Sequence, residues 1–339
     1  MSSAAEESTR AALEAAASNV GPGTLDGLRM RIAAVVADAE HVAPAVTVGR
    51  AAGVRDDALD LLAGRQLPRQ TGDLNAVVAE ACALLGWVSG DLGQHYAATS
   101  QVVAAWTFAE MAEQPATSAA VRAAQAKVTY WAGDVAGSAR YAEAGLRELA
   151  GQLPGTVGVL LASMLARAAA RLGDVDTARE ALRAVSVERD RVGEVPGGLI
   201  SCGPVGQACF AAGALLTLGD PGGALVEVDA AERAYQLGAP NTGSPTWGAY
   251  RSVSMARVTG IAAHLAAGNL DGAGEYMRML SGLPVDRRVA TLGQRLGRAV
   301  ALLGEDQYAG ERRADVLREE IVEFRRSTSS TRALPAGRS

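Results

Sequence analysis

Three histidines (His41, His95, His264) and three cysteines (Cys82, Cys202, Cys209) are the side chains of this sequence best suited to nucleophilic, acid–base or zinc chemistry. Their spacing offers none of it. The histidines stand far apart, and there is no HExxH, no GxSxG, no P-loop and no Cys/His spread with zinc spacing. GPGTLDG near Gly21 has no strand ahead of it, so its glycines do not form a phosphate loop. His264 lies in IAAHLAAG at an apolar helix end and His95 follows DLGQ at a helix start; packing or capping accounts for both. Cys209 in GQACFAAG reads as a small core residue. Cys202 and Cys209 on one helix would stand roughly 10 Å apart along its axis, too far for a disulfide, so reduced cytoplasmic thiols are the simple reading. The sequence therefore predicts no catalytic residue, no metal ligand and no cofactor.

Binding chemistry is better represented. Glu80, Lys127 and Arg167 supply charge, Ser163 a small hydroxyl, and Trp87, Tyr130 and Trp131 aromatic walls. An apolar pocket with a few convergent polar groups is the usual form of a small-molecule site. Arginine can hold a carboxylate or phosphate through two parallel hydrogen bonds, and lysine adds a point charge. The aromatics could equally pack between helices. Lys127, the sole lysine, and Arg167 are harder to place in a core, because a buried unpaired charge is costly. Pairing with Glu80, or reaching solvent, would relieve them. Trp247, Tyr250 and Arg251, after the loop GAPNTGSP, form a second candidate cluster.

These residues can meet only if the elements carrying them repeat in register. One short signature does recur: SGDLGQHYAA at Gly90, AGDVAGSA at Gly133, LGDVDTA at Gly173, LGDPGGA at Gly219 and AGNLDGA at Gly268. Each follows an Ala/Leu-rich run of helical length and opens another. Glycine ends a helix in a left-handed turn without a Cβ penalty, and Asp or Asn caps the next helix. Five residues on stands Ser138, Ala178, Ala224 or Ala273, small enough for close helix approach; at the first repeat the place falls to His95, a departure. The spacings of 43, 40, 46 and 49 residues exceed the strict 34 of a tetratricopeptide (TPR) repeat, so the units are TPR-like.

Aromatics make up only 4% of the chain, alanine is abundant, and period-2 β-branched runs are nearly absent. The predicted fold is all-α: a TPR-like right-handed solenoid of antiparallel helix pairs. The pairs fall at 71–89 with 92–113, 116–131 with 134–150, 156–172 with 175–191, 201–218 with 221–237, 247–266 with 270–281, and 287–302 with 310–326. Helices at Thr9–Ser18, 24–39 and 45–63 precede them. Residues 1–69 are read as helices packed on the solenoid, 70–326 as the repeats, and 327–339 as a disordered tail. If the glycine anchors are equivalent, the first helices of successive pairs line one inner groove. Glu80, Trp87, Lys127, Tyr130, Ser163 and Arg167 then face it.

AVTVGRAAGVRDDALDLLAG, starting at Ala45, has the look of a DNA-reading helix-turn-helix. Its would-be recognition helix carries Asp56, Asp57 and Asp60, which oppose phosphate, and Leu59, Leu61 and Leu62, which suit packing. Together with LLAGRQLPRQTGDL, YWAGDVAGSARYAEAGL, LGDPGGALVEVDAAERAY and EEIVEF, the chain resembles the C-terminal TPR-like region of actinobacterial helix-turn-helix transcriptional regulators. The resemblance spans roughly residues 24 to 326. It implies the sensory or partner-binding half of such a regulator. The DNA-binding domain those proteins carry ahead of the repeats has no counterpart in MSSAAEESTRAALEAAASNVGPG, so direct specific DNA binding is not expected.

A net charge of −5 agrees with that exclusion, since nucleic-acid affinity comes largely from neutralising phosphates. MSSAAEESTR lacks the apolar stretch of a signal peptide, and no apolar run reaches the roughly 18 residues of a membrane span. The leading expectation is a cytoplasmic sensor that binds an anionic small molecule or short peptide in its groove. A protein–protein scaffold without a small ligand is the alternative, with a protein partner or a second copy of the chain, and an enzyme with a helical cavity is the third.

Overall fold

Glycine punctuates the Ala/Leu-rich runs, and the structure follows that punctuation. The computed structural model describes residues 7–8, 10–12, 16–21, 23–39, 42–152, 155–192, 200, 202–238 and 247–328, and among them every regular element is helical. After helical residues at 7–8 and 10–12, two helices lead into the repeats, α1 (Thr24–Asp38) and α2 (Pro44–Leu62). Five antiparallel pairs follow: α3 (Pro68–Asp91) with α4 (His95–Ala112), α5 (Pro115–Trp131) with α6 (Val135–Glu148), α7 (Thr156–Leu172) with α8 (Val175–Val192), α9 (Pro204–Thr217) with α10 (Pro221–Gly238), and α11 (Trp247–Ala266) with α12 (Leu270–Ser281). The short helices α13 (Ala290–Arg295) and α14 (Gly297–Leu302) lead to α15 (Arg312–Ser327).

Within each pair the helices pack on one another, and the first helices also pack in succession, α3 on α5, α5 on α7, α7 on α9 and α9 on α11. This is a helical-repeat arrangement with the first helices as a shared inner layer. Alanine makes that layer close: Ala83, Ala123, Ala124, Ala166 and Ala168 are fully buried. Among the described residues, no helix is long and apolar enough to cross a membrane.

The turns bear out the glycine grammar at four of its five places. Gly133, Gly173, Gly219 and Gly268 adopt φ of +74° to +96°. The Asp or Asn after each accepts a backbone N–H three residues on: Asp134 from Gly137 (2.7 Å), Asp174 from Thr177 (3.0 Å), Asp220 from Gly223 (2.8 Å) and Asn269 from Gly272 (2.9 Å). Ser138, Ala178, Ala224 and Ala273 are wholly buried between paired helices.

The first pair is phased differently from the expectation. Gly90 lies inside α3, which runs on to Asp91, and the left-handed turn residue is Gly93 (φ +75°). The small residue five places later is then Ala98, wholly buried, while His95 is exposed. The departure disappears, and the first two glycine spacings become 40 and 40. A GD dipeptide misleads here because Gly90 and Asp91 serve burial, not a turn.

Residues 287–302 do not form one helix. A 3₁₀ turn at Val285–Arg287 is followed by α13 and α14, which meet at Leu296. Arg288 leaves helical geometry (φ −84°, ψ 85°), and its guanidinium donates to the carbonyls of Leu283 and Ser281 and to Ser327 Oγ. That anchoring pins the segment to α15. The suspected helix-turn-helix is one uninterrupted helix, α2, which buries Thr47, Ala51, Val54 and Ala58 and packs on α3, with Leu59, Leu61 and Leu62 partly buried. Of the expected helix at Thr9–Ser18, residues 10–12 are helical and 16–18 are not; the Gly/Pro-rich loops at 193–201 and 238–246 and the tail beyond Thr328 lie wholly or mostly outside the described residues.

The phase assigned to Gly93 makes Ala98 equivalent to Ala178. Ala98→Leu is expected to overpack the α3–α4 contact and cost about 1–3 kcal/mol, as is Ala178→Leu at its own pair, while His95→Leu is expected to leave stability within about 0.5 kcal/mol. Denaturant melts of the three variants check this; an unchanged midpoint for Ala98→Leu would contradict the phase.

Candidate functional site

With Gly93 as the first anchor, the positions six residues before successive turn glycines are Trp87, Lys127 and Arg167. They sit on α3, α5 and α7, three adjacent helices of the inner layer, and they meet in sequence. The Lys127 ammonium lies 4.1 Å from the centre of the Trp87 ring and donates to the Trp87 carbonyl (3.0 Å) and to Asp91 Oδ1 (2.8 Å). The other carboxylate oxygen of Asp91 accepts from Arg251 Nη1 on α11. Asp91 and Lys127 are buried and Arg251 is half-buried. One carboxylate thus joins the first, second and fifth pairs. The same closure brings the α3–α4 turn against α13, where a Cβ on Gly93 would stand 3.4 Å from Ala290 Cβ.

Burial pushes the Lys127 pKa down to about 7; Asp91 opposes the fall, and Arg251 and Arg167 add to it. Among its neighbours, the Asp91 carboxylate is the group that favours the charged form.

Among the described residues, the cluster beyond Lys127 continues without a second carboxylate. The Arg167 guanidinium stands over Tyr130 (4.0 Å to the ring centre), Phe210 (4.7 Å) and Trp131 (5.7 Å). Tyr130 and Trp131 themselves meet edge to face at 5.3 Å. Arg171 approaches Tyr130 at 5.6 Å and Arg295, from α13, approaches Trp131 at 5.5 Å. Among the described residues, Arg295 makes only long bonds, to Cys209 Sγ (3.7 Å) and the Met255 carbonyl (3.5 Å). Arg167 is buried, and its Nε and Nη2 have no acceptor among the described residues. Burial lowers its pKa to about 10, with Arg295 and Arg171 adding to the fall.

The structure therefore brings together Trp87, Lys127, Tyr130, Trp131, Arg167 and Arg251, merging what the sequence suggested as two clusters. Glu80 stays out. Its place follows from the wrong anchor at Gly90: it accepts from Thr117 Oγ1 (3.4 Å), feels Arg29, and is held above the usual carboxylate range by burial. It is not the partner of Lys127 or Arg167. Ser163 is buried and donates to the Val159 carbonyl of its own helix (2.7 Å), so its hydroxyl donor is spent locally. Trp247 and Tyr250 lie on α11, and their side chains fall outside the described residues.

Sequence reasoning missed Asp91, Phe210 and Arg295. Asp91 carried a signal, since a lone buried lysine demands a carboxylate, but the GD grammar disguised it as a turn residue. Nothing local marks Arg295, which reaches the cluster because the chain folds back through α13. Cys82 and Cys202 are buried with thiol pKa values pushed up to about 11 and about 12, mainly by burial. Such thiols are poor nucleophiles. Among the described residues, no three His, Cys, Asp or Glu side chains are grouped to hold a metal ion. No family model matches the sequence, and no curated protein matches it.

The Lys127 site makes a pH prediction. Its folded-state pKa lies below the ordinary 10.5. Between pH of about 7 and 10.5 the unfolded chain keeps a proton that the folded chain releases, so this residue's contribution to stability rises with pH across that window and is lowest below pH 7. Urea melts of the wild type and Lys127→Met at pH 6.5 and 9.5 test it: the wild type is expected to gain on the variant at the higher pH. A pH-independent difference would contradict the environment described.

Proposed function

We propose that this protein is a cytoplasmic, TPR-like interaction scaffold: a right-handed solenoid of antiparallel helix pairs that engages a protein partner. The resemblance to the partner-binding half of actinobacterial helix-turn-helix regulators supports that class, and the outward face of α4 carries the reading. Tyr96 (88% exposed), Val103 (58%) and Met111 (49%) stand there in solvent. Glu110 is the one Asp, Glu, Lys or Arg among the eighteen residues of that helix, whereas α8, of equal length, carries eight. An exposed, charge-poor, apolar strip marks a protein interface, whose core is typically depleted in charge.

DNA reading has no support in this scheme. The segment that suggested it is one helix, with Asp56 and Asp57 engaged by Arg55 and Arg31. The reading includes no catalytic step. A second reading, a sensor of a small ligand at the inner layer, is favoured by the Arg167 edge, which has donors and no acceptor among the described residues.

Protein purified from its own host is expected to carry a stoichiometric protein partner by native mass spectrometry. Tyr96→Glu combined with Val103→Glu should remove that partner while leaving the thermal midpoint within about 2 °C, as exposed substitutions do. A partner retained by the double variant, or a wild-type chain with none, contradicts the reading.

A further inference from the structure

Among the described residues, Arg167 is the place in the inner layer where a fully buried positive charge lacks compensation. The carboxylate nearest in the chain of contacts, Asp91, is already shared by Lys127 and Arg251. The charged groups that act on Arg167 are further cations, Arg295, Arg171 and Lys127, beside the uncharged Tyr130 and Cys209. Its aromatic neighbours satisfy the faces of the guanidinium through cation–π contact. They leave the edge unsatisfied. The two nitrogens without an acceptor are Nε and Nη2, the pair whose N–H bonds run parallel. That edge is the geometry that receives both oxygens of a carboxylate or two oxygens of a phosphate.

We infer that the Arg167 edge, walled by Tyr130 and Phe210 and backed by Arg295, is the seat of a small oxyanion, the carboxylate or phosphate group of a ligand. An anion there supplies the missing acceptors and offsets the repulsion among Arg167, Arg171 and Arg295. The two nitrogens are shielded from solvent, so the anion seats by displacing side chains that now cover them. Arg295 is placed to yield, because its own bonds are long (3.5 and 3.7 Å) and it belongs to the short helix α13. The inference rests on the second, ligand-binding reading above and is independent of the scaffold reading.

The test is thermal melting of the full chain in 10 mM inorganic phosphate, 10 mM benzoate or potassium chloride of equal ionic strength, for the wild type, Arg167→Met and Arg167→Lys. A rise of about 2–4 °C over chloride is expected in wild type for at least one oxyanion, the size mass action gives when the ligand is near ten times its Kd. Phosphate as the active probe assigns a phosphate-bearing ligand, and benzoate an organic acid. Arg167→Met is expected to lose the rise and, in chloride, to melt no lower than wild type, because it removes a buried charge without a partner. Should that variant not fold, Arg167→Lys, which keeps the charge but not the two-pronged edge, must lose most of the rise. General salting effects act on all three chains alike and cancel in the comparison. A rise retained in both variants overturns this site while leaving a ligand elsewhere in the layer, and equal wild-type midpoints in all three salts remove the site and the ligand reading together.

Discussion

Asp91 ties three helix pairs together with one carboxylate, shared by two cations. Its two oxygens bind Lys127 on α5 and Arg251 on α11, a residue 160 positions further along the chain. Helix pairs that touch only their neighbours need no such link, because each is held by the next. The link exists here because the array closes far enough for its first and fifth pairs to meet, with Gly93 seated against Ala290 at the same junction. Removing one member of a buried ion pair typically costs about 3–5 kcal/mol, since the other charge is left uncompensated. Closure and charge are therefore a single constraint: the array cannot open at α11 without breaking the buried Asp91–Arg251 pair.

That constraint also explains why the cluster is unbalanced. Trp87, Lys127 and Arg167 occupy the same place in three successive pairs, so the repeat itself delivers them to one side. Trp87 can meet Lys127 through its ring and carbonyl, and Lys127 can meet Asp91, but Arg167 arrives one repeat too far along to share that carboxylate. It is left with aromatic faces and further arginines. A fold that only needed packing at this position would be better served by an apolar side chain of similar volume. Keeping arginine there makes physical sense if an anion visits it.

Much of the fold was legible because glycine and its capping partner leave a local mark. Gly133, Gly173, Gly219 and Gly268 all sit in left-handed turns, each followed by a capping Asp or Asn, and those requirements act over four or five residues. The failures occurred where a local pattern served a non-local purpose. Gly90 and Asp91 look like a turn but complete α3, because Asp91 is needed by residues from two other pairs. Shifting that anchor by three residues misplaced Glu80 and hid the equivalence of Trp87 with Lys127. Arg295 was invisible for the complementary reason: its role depends on where α13 packs, which no periodicity in residues 287–302 encodes. Lys127, Arg167, Tyr130 and Trp131 were found because single charges and aromatics stand out in an alanine-rich helix.

The account turns on Asp91 coupling the ends of the array, and a double-mutant cycle between Asp91→Asn and Arg251→Met measures that coupling directly. Unfolding free energies of the wild type, the two single variants and the double variant are predicted to show an interaction energy of about 1–3 kcal/mol, the range for directly paired groups in one network. Additivity within about 0.5 kcal/mol, the behaviour of sites that do not touch, would contradict it.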